Sequence, residues 1–172
     1  MKNVVVTYFE PFGGRTTNAS KEVVSLLGDF ETKELPVSWN KVPNYIDDIF
    51  SNNPDYLFLI GEAGSYKQIT IEKVAHNISN GKDNDGNNKD NEPIISGAPD
   101  ILTTQFDLSK LNYLKSEDAG KYLCNYSYYL ALSKTKNCKV LFVHLPYIEE
   151  NGTNSVENLQ KDLLNIINTL IK

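Results

Sequence analysis

Two short apolar runs place the strongest constraint on how this chain can fold. Residues 56–60 (YLFLI) and 140–144 (VLFVH) contain only aliphatic and aromatic side chains, apart from His144 at the end of the second run. Strands without polar alternation are typical of parallel sheets covered on both faces. Along the chain, strand-like segments alternate with helix-like segments. This order predicts an α/β fold: a single-domain α/β/α sandwich over residues 1–172, with a mixed, mainly parallel twisted sheet.

The remaining elements follow from periodicity and from turn residues. Runs that are β-branched or alternate in polarity predict further strands at 3–7, 33–37 and 69–78. Helical spacing of apolar residues predicts a helix that contains 23–27, capped by Asn18 or Ser20, and helices at 40–50, 125–134 and 155–172. Residues 79–92 are rich in Asn, Asp, Gly and Lys, so we expect a solvated loop there.

Composition and charge narrow the class of partner. The net charge is −5 and the basic residues are scattered, which argues against nucleic acid and anionic membranes. No apolar run approaches the ~20 residues needed to span a bilayer. The chain has two cysteines, Cys124 and Cys138, which are too few for the set of disulfides that stabilises many small secreted proteins. We expect a cytoplasmic protein that acts on small molecules or peptides; a homo-oligomer is compatible with the sequence.

Calcium is the one metal that a local pattern suggests. With Gly86 at the sixth position of a calcium loop, the first and ninth positions hold Gly81 and Lys89 instead of oxygen ligands. We therefore expect no metal site in this loop.

A cysteine and a histidine occupy positions suited to chemistry. Cys124 follows a small-residue turn at the start of a helix-like run, where unpaired N–H groups and the helix dipole favour the thiolate. His144 ends the second apolar strand, and Glu72 is the carboxylate that we expect to orient its ring. Alone, Cys124 would more commonly be a buried apolar residue. Glu72 on an alternating strand would point away from the core and would more commonly serve solubility.

Five segments favour the catalytic interpretation, and they occur in the order seen in one enzyme family. The chain resembles the pyrrolidone-carboxylate peptidases, which are cysteine-type pyroglutamyl peptidases, from residue 6 to residue 147. The resemblance implies that Glu72, Cys124 and His144 form a triad that removes an N-terminal pyroglutamyl residue from peptides through a thioester, with no metal or cofactor. The matching segments are 6–14 (VTYFEPFGG), 60–64 (IGEAG), 71–75 (IEKVA), 119–125 (AGKYLCN) and 143–147 (VHLPY).

The same resemblance assigns five residues to substrate binding. Phe9 and Phe12 are expected to flank the flat lactam ring of the pyroglutamyl group. Tyr122 and Glu62 belong to the matching segments and are expected to line the same site. Lys82 is included because it is the only cation available to replace an arginine that relatives carry in this part of the chain.

Three departures from the family pattern bear on activity. Relatives usually have an Arg-Ile-Pro-Asp-Asn segment where this chain reads Gly-Lys-Asp-Asn at 81–84. They have neutral residues where Glu62 and Asp118 stand, and carboxylates within ~4–6 Å of a thiol oppose its ionisation. The alternative function is therefore a diverged member that binds a pyroglutamyl-like or other small ligand without turnover.

Overall fold

The computed structural model describes residues 2–172 of the protein. The strands within this part of the chain are β1 (Val4–Phe9), β2 (Glu31–Leu35), β3 (Tyr56–Glu62), β4 (Thr70–Glu72), β5 (Val74–His76), β6 (Ser79–Lys82), β7 (Asn88–Glu92), β8 (Ile101–Thr103), β9 (Leu114–Ser116) and β10 (Lys139–Leu145). The helices are α1 (Ala19–Val24), α2 (Val42–Ser51), α3 (Leu123–Ser133) and α4 (Val156–Leu170).

A six-stranded sheet with the order β2-β1-β3-β10-β4-β9 forms the centre of the fold. Its strands are parallel except where β4 runs antiparallel to β10. The two apolar runs of the sequence form the neighbouring strands β3 and β10, which are buried along nearly their whole length. The prediction of a mixed, mainly parallel sheet is confirmed.

Helices cover both faces of this sheet, as the apolar strands require. On one face α2 and α3 pack over alternate residues of β1 and β3, such as Val5 and Leu57. On the other face α1 and α4 pack over the intervening residues, such as Val6 and Phe58. Because β1, β3 and β10 are parallel, their carboxyl ends meet at one edge, where ligands of such sheets commonly bind.

Two predicted elements differ from those observed. The strand expected at 69–78 is divided at Lys73 into β4 and β5, which belong to different sheets. The N–H of Lys73 donates to the carbonyl of Ser116 and its carbonyl accepts from Thr104, so the chain changes partners there. The helix that was expected to contain 23–27 ends at Val24, although Asn18 does cap it by accepting from the Ser20 N–H.

The solvated loop expected at 79–92 is instead the hairpin of β6 and β7. Its turn is organised by Asp83, which is buried although it is charged. One oxygen of Asp83 accepts from the Asn87 N–H at 2.8 Å and the other from the Trp39 N–H at 2.9 Å. Polar residues thus form an ordered element here because their side chains bond to the backbone, which composition alone does not reveal.

Within residues 2–172, no helix has the length and apolar character that crossing a membrane would require.

We predict that Asp83→Ala destabilises the protein, because it leaves the buried N–H of Trp39 and the part-buried N–H of Asn87 without their acceptor. A buried N–H without an acceptor costs roughly 1–3 kcal/mol, so we expect a loss of at least about 1 kcal/mol in the free energy of unfolding measured in urea. Asp90→Ala is the matched control, since Asp90 is exposed on β7 of the same hairpin. Equal effects of the two substitutions would contradict the role assigned to Asp83.

Candidate active site

Asn125 fixes the start of α3 to β5, which forms a two-stranded sheet with β8. Its side-chain oxygen accepts from the His76 N–H at 2.9 Å, and its amide donates to the carbonyls of His76 and Ile78 at 2.8 and 2.9 Å. Asn125 is fully buried, so these bonds are shielded from water. They hold Cys124, the residue before it, in the first turn of the helix, where the sequence predicted it.

The sulfur of Cys124 lies against the sheet at Gly61. A Cβ atom at Gly61 would stand 2.8 Å from Cys124 Sγ and 2.7 Å from Phe142 Cζ. Gly61 is paired in register with His144 on the adjacent strand β10, and adjacent strands lie about 4.8 Å apart. Cys124 and His144 therefore meet at the carboxyl edge of β3 and β10. Both line one cavity of about 450 Å³.

His144 is held by a buried carboxylate. Its Nδ1 lies 2.7 Å from Glu72 Oε1. Because an ionised carboxylate can only accept, Nδ1 carries the proton and Nε2 is left free to take one. The expectation that Glu72 points away from the core was wrong, since the residue is 0 % exposed. Strand β4 lies between β10 and β9 and under α3, whose Tyr128 hydroxyl donates to the Glu72 carbonyl at 3.0 Å.

Tyr66 is a member of the site that the sequence did not reveal. Its hydroxyl donates to Glu72 Oε1 at 2.9 Å and lies 3.0 Å from Ser116 Oγ. Its ring is 5.7 Å from the His144 ring, centroid to centroid. Burial raises the pKa of Tyr66, so it remains a donor at neutral pH. The only sequence signal was its place in a loop just after an apolar strand, where ligand-binding groups gather.

The predicted aromatic residues are divided between the cavity and the core. Phe12 and Tyr122 line the cavity, with ring centroids 5.9 Å apart. Trp39 supports Tyr122 in an edge-on contact at 5.4 Å. Phe9 is 2 % exposed and packs in the core with α2 and α3, so the structure does not place it on the cavity wall.

Lys82 does not reach the cavity. A Cβ atom at Gly81 would lie 3.2 Å from the Tyr122 ring, so position 81 faces the site. Successive residues of a strand point to opposite faces, which turns Lys82 away. Lys82 is exposed, and only its backbone carbonyl contacts the site, by accepting from the Tyr122 hydroxyl at 2.7 Å. The ammonium expected near the substrate is therefore elsewhere.

The two unusual carboxylates occupy different environments. Glu62 lines the cavity, but its Oε2 accepts from the Ala19 N–H at 2.7 Å and its Oε1 forms an ion pair with Arg15. Burial raises the pKa of Glu62, while Ala19 and Arg15 act in the opposite direction. Asp118 is exposed at the rim, where its Oδ1 accepts from the Gly120 N–H at 2.9 Å.

Cys124 is neutral at physiological pH in this structure. Burial raises the pKa of its thiol to about 12, and the charges of Glu72 and Glu62 add to the effect. The expectation that the helix start would favour the thiolate was wrong because desolvation outweighs the first-turn N–H groups. A reaction at Cys124 thus needs a base that removes its proton, and His144, which bonds to Glu72 through Nδ1, offers its Nε2 for this role.

Comparison with known proteins identifies the family. The family model for pyroglutamyl peptidases matches residues 2–162. The chain belongs to this family. It is 35% identical over 190 aligned residues to a pyrrolidone-carboxylate peptidase of Fusobacterium nucleatum, covering 97% of this chain and 88% of the relative. A second relative of the same name, from Thermococcus onnurineus, is 33% identical over 171 residues, covering 87% of this chain and 86% of that protein.

Solved structures agree with this assignment. A mutant pyrrolidone carboxyl peptidase from Pyrococcus furiosus superposes with a TM-score of 0.89 at 28% identity, covering 99% of this chain and 98% of that chain. The pyrrolidone carboxyl peptidase from Thermus thermophilus gives a TM-score of 0.85 at 27% identity, covering 93% and 96%. The α/β architecture of this pyroglutamyl peptidase family member is therefore that of its relatives.

We predict that Gly61→Ala disables the site, because the added methyl group would press on Cys124 Sγ and Phe142. A displacement of ~1 Å costs on the order of a hundredfold in rate, and overpacking costs about 1–3 kcal/mol of stability. The rate is measured by hydrolysis of a chromogenic pyroglutamyl amide, and the stability is measured by urea unfolding. Gly28→Ala is the control, since a Cβ there meets nothing within 4 Å. Undiminished turnover in Gly61→Ala would contradict the proposed packing of the sulfur.

A second prediction concerns the free thiol. Since the pKa of Cys124 is raised to about 12, alkylation by uncharged iodoacetamide should rise about tenfold per pH unit from about pH 7 to about pH 10 without a plateau. The measurement uses a Cys138→Ser background, because Cys138 is the other free cysteine. A plateau below about pH 8 would show that the thiolate is stabilised after all.

Proposed function

We propose that this protein is a cysteine peptidase that removes an N-terminal pyroglutamyl residue from peptides, with Cys124 as nucleophile, His144 as base and Glu72 as the group that orients His144. The observation that supports this most strongly is the buried bond between Glu72 and His144 Nδ1. It leaves Nε2 unprotonated beside a thiol that needs a base.

The chemistry follows from these roles. His144 Nε2 takes the Cys124 proton as Sγ attacks the pyroglutamyl carbonyl carbon, and Glu72 stabilises the imidazolium that forms. The first turn of α3 has no side-chain cap, so the Cys124 N–H is available to the oxyanion. His144 then gives the proton to the departing amine, which leaves a thioester. A water molecule activated by His144 hydrolyses the thioester, releasing pyroglutamate and restoring the thiol.

The cavity suits a neutral, flat group. Phe12 and Tyr122 supply apolar faces, and about 450 Å³ is within the usual range for a small-molecule site. The carboxylate of Glu62 is already occupied by Arg15 and Ala19, so it offers no free charge to an amino-terminal ammonium. A lactam, whose nitrogen is uncharged, loses less solvation on entering such a cavity than a free N-terminus would.

Two observations favour a second candidate, which is binding without turnover. The thiol of Cys124 is protonated, and Lys82, the cation expected to replace the arginine of relatives, points away from the cavity. Both features weaken a thiolate mechanism without altering the shape of the cavity. A protein of this kind would bind a pyroglutamyl-like lactam and release it unchanged.

We predict that the protein hydrolyses a chromogenic pyroglutamyl amide but not the matching amides of proline and glutamate. Cys124→Ala should abolish this turnover, whereas Cys138→Ala, which changes the other free cysteine, should not. His144→Ala should be as damaging as Cys124→Ala and the double variant scarcely worse, because members of one catalytic unit are not additive.

The outcomes separate the two candidates. Turnover that survives Cys124→Ala would refute the cysteine mechanism. No turnover in the unaltered protein, together with saturable binding of 2-pyrrolidone in calorimetry, would support the binding candidate instead.

A further inference from the structure

Arg15 connects two walls of the cavity. It is the only arginine in the sequence and lies in the loop between β1 and α1. Its guanidinium pairs with Glu62 at the end of β3 and lies 4.0 Å from the centroid of the Tyr147 ring, just past β10. Glu62 and Tyr147 both line the cavity. Arg15 therefore does not line the cavity itself, but it contacts two residues that do.

Glu62 depends on this contact. Its side chain is only 2% exposed, and its other interaction is a single N–H bond from Ala19. A buried carboxylate that loses its cation is left with a large desolvation penalty. No other cation forms a salt bridge with Glu62 among the residues that the structure describes.

The charge of Glu62 faces the nucleophile. Around Cys124 lie Glu62 on β3, Glu72 on β4, His144 on β10, and Tyr122 and Asp118 on the segment before α3. Of the two buried carboxylates, Glu72 is committed to His144, whose positive charge offsets it during the reaction. Glu62 has no such partner within the triad. Among residues 2–172, its one salt-bridge partner is Arg15.

The second contact fixes a wall of the cavity. A Cβ atom at Gly64 would lie 2.2 Å from Tyr147 Cζ, so the Tyr147 ring lies directly on the Gly64 backbone. The Arg15 guanidinium also packs over this half-exposed ring, in cation–π geometry. One side chain thus holds both a charge and an aromatic ring in place.

We propose that Arg15 is a positioning residue of this site: it partly offsets the charge of Glu62 and holds Tyr147 against Gly64, so that the carboxylate beside Cys124 opposes formation of the thiolate less strongly. The proposal rests on the proposed function, in which Cys124 is the nucleophile. It explains how the chain accommodates an acidic residue at position 62, because the acid comes with its own buried counter-charge.

The test is a double-substitution cycle in a Cys138→Ser background. It compares the parent with Arg15→Gln, Glu62→Gln and Arg15→Gln/Glu62→Gln. In Arg15→Gln, Glu62 is ionised above its own raised pKa and its charge raises the pKa of Cys124, so less thiolate is present at a given pH. Iodoacetamide alkylation near pH 9 should slow about three- to tenfold, since one pKa unit corresponds to tenfold.

The remaining variants test whether Arg15 acts on Cys124 through Glu62. Glu62→Gln should speed alkylation relative to the parent, and the double variant should return to within about twofold of the parent. Arg15→Lys keeps the charge and should alkylate at nearly the parental rate, while its KM for the pyroglutamyl amide rises because the contact with Tyr147 is altered. Lys21→Gln removes a nearby cation whose partner, Glu34, is partly exposed, and it should leave the alkylation rate unchanged.

Alkylation needs no turnover, so the cycle can be read even if the peptidase assignment fails. An unchanged alkylation profile in Arg15→Gln would overturn the proposal. So would slowing that persists in the double variant, because Arg15 would then act through the fold and not through Glu62. If Arg15→Gln does not fold, Arg15→Lys replaces it in the test. Alkylation that is tenfold or more slower in Arg15→Lys than in the parent would then overturn the proposal.

Discussion

The contact between the first turn of α3 and the β3 backbone at Gly61 is the constraint on which the site depends. Only a residue without a side chain lets Cys124 Sγ approach the strand that is paired with His144. The amide of Asn125 fixes the helix in this position by bonding to β5. The nucleophile and its base, which belong to different elements, thus meet because one glycine and one asparagine allow the helix to lie so close.

Burial sets the electrostatics of this arrangement. It raises the pKa of Cys124, and it makes each nearby carboxylate depend on a partner. Glu72 is paired with His144, whose charge changes during the proposed reaction, while Glu62 is paired with Arg15, whose charge does not. The partner of Glu72 therefore gains and loses a charge during the proposed reaction, whereas Glu62 keeps the same counter-charge throughout.

Predictions from local sequence patterns were wrong where hydrogen bonds to distant residues determine the structure of a segment. The hairpin of β6 and β7 has the composition of a solvated loop, but Asp83 turns inward and accepts two backbone N–H groups. The strand expected at 69–78 breaks at Lys73 because its backbone bonds to segments more than thirty residues later in the chain. Neither feature follows from local periodicity, since both depend on residues that are distant in sequence.

What the sequence determined by itself was the layered α/β fold, through the apolar runs at β3 and β10, and the positions of Cys124 and His144 at the ends of their elements. These follow from local spacing and from side-chain polarity, which the chain carries in any conformation. Tertiary structure alone decided that Glu72 is buried, that Lys82 points away and that Arg15 pairs with Glu62. It also decided the protonation of Cys124, because desolvation depends on what packs around a group, and the helix start could not overcome it.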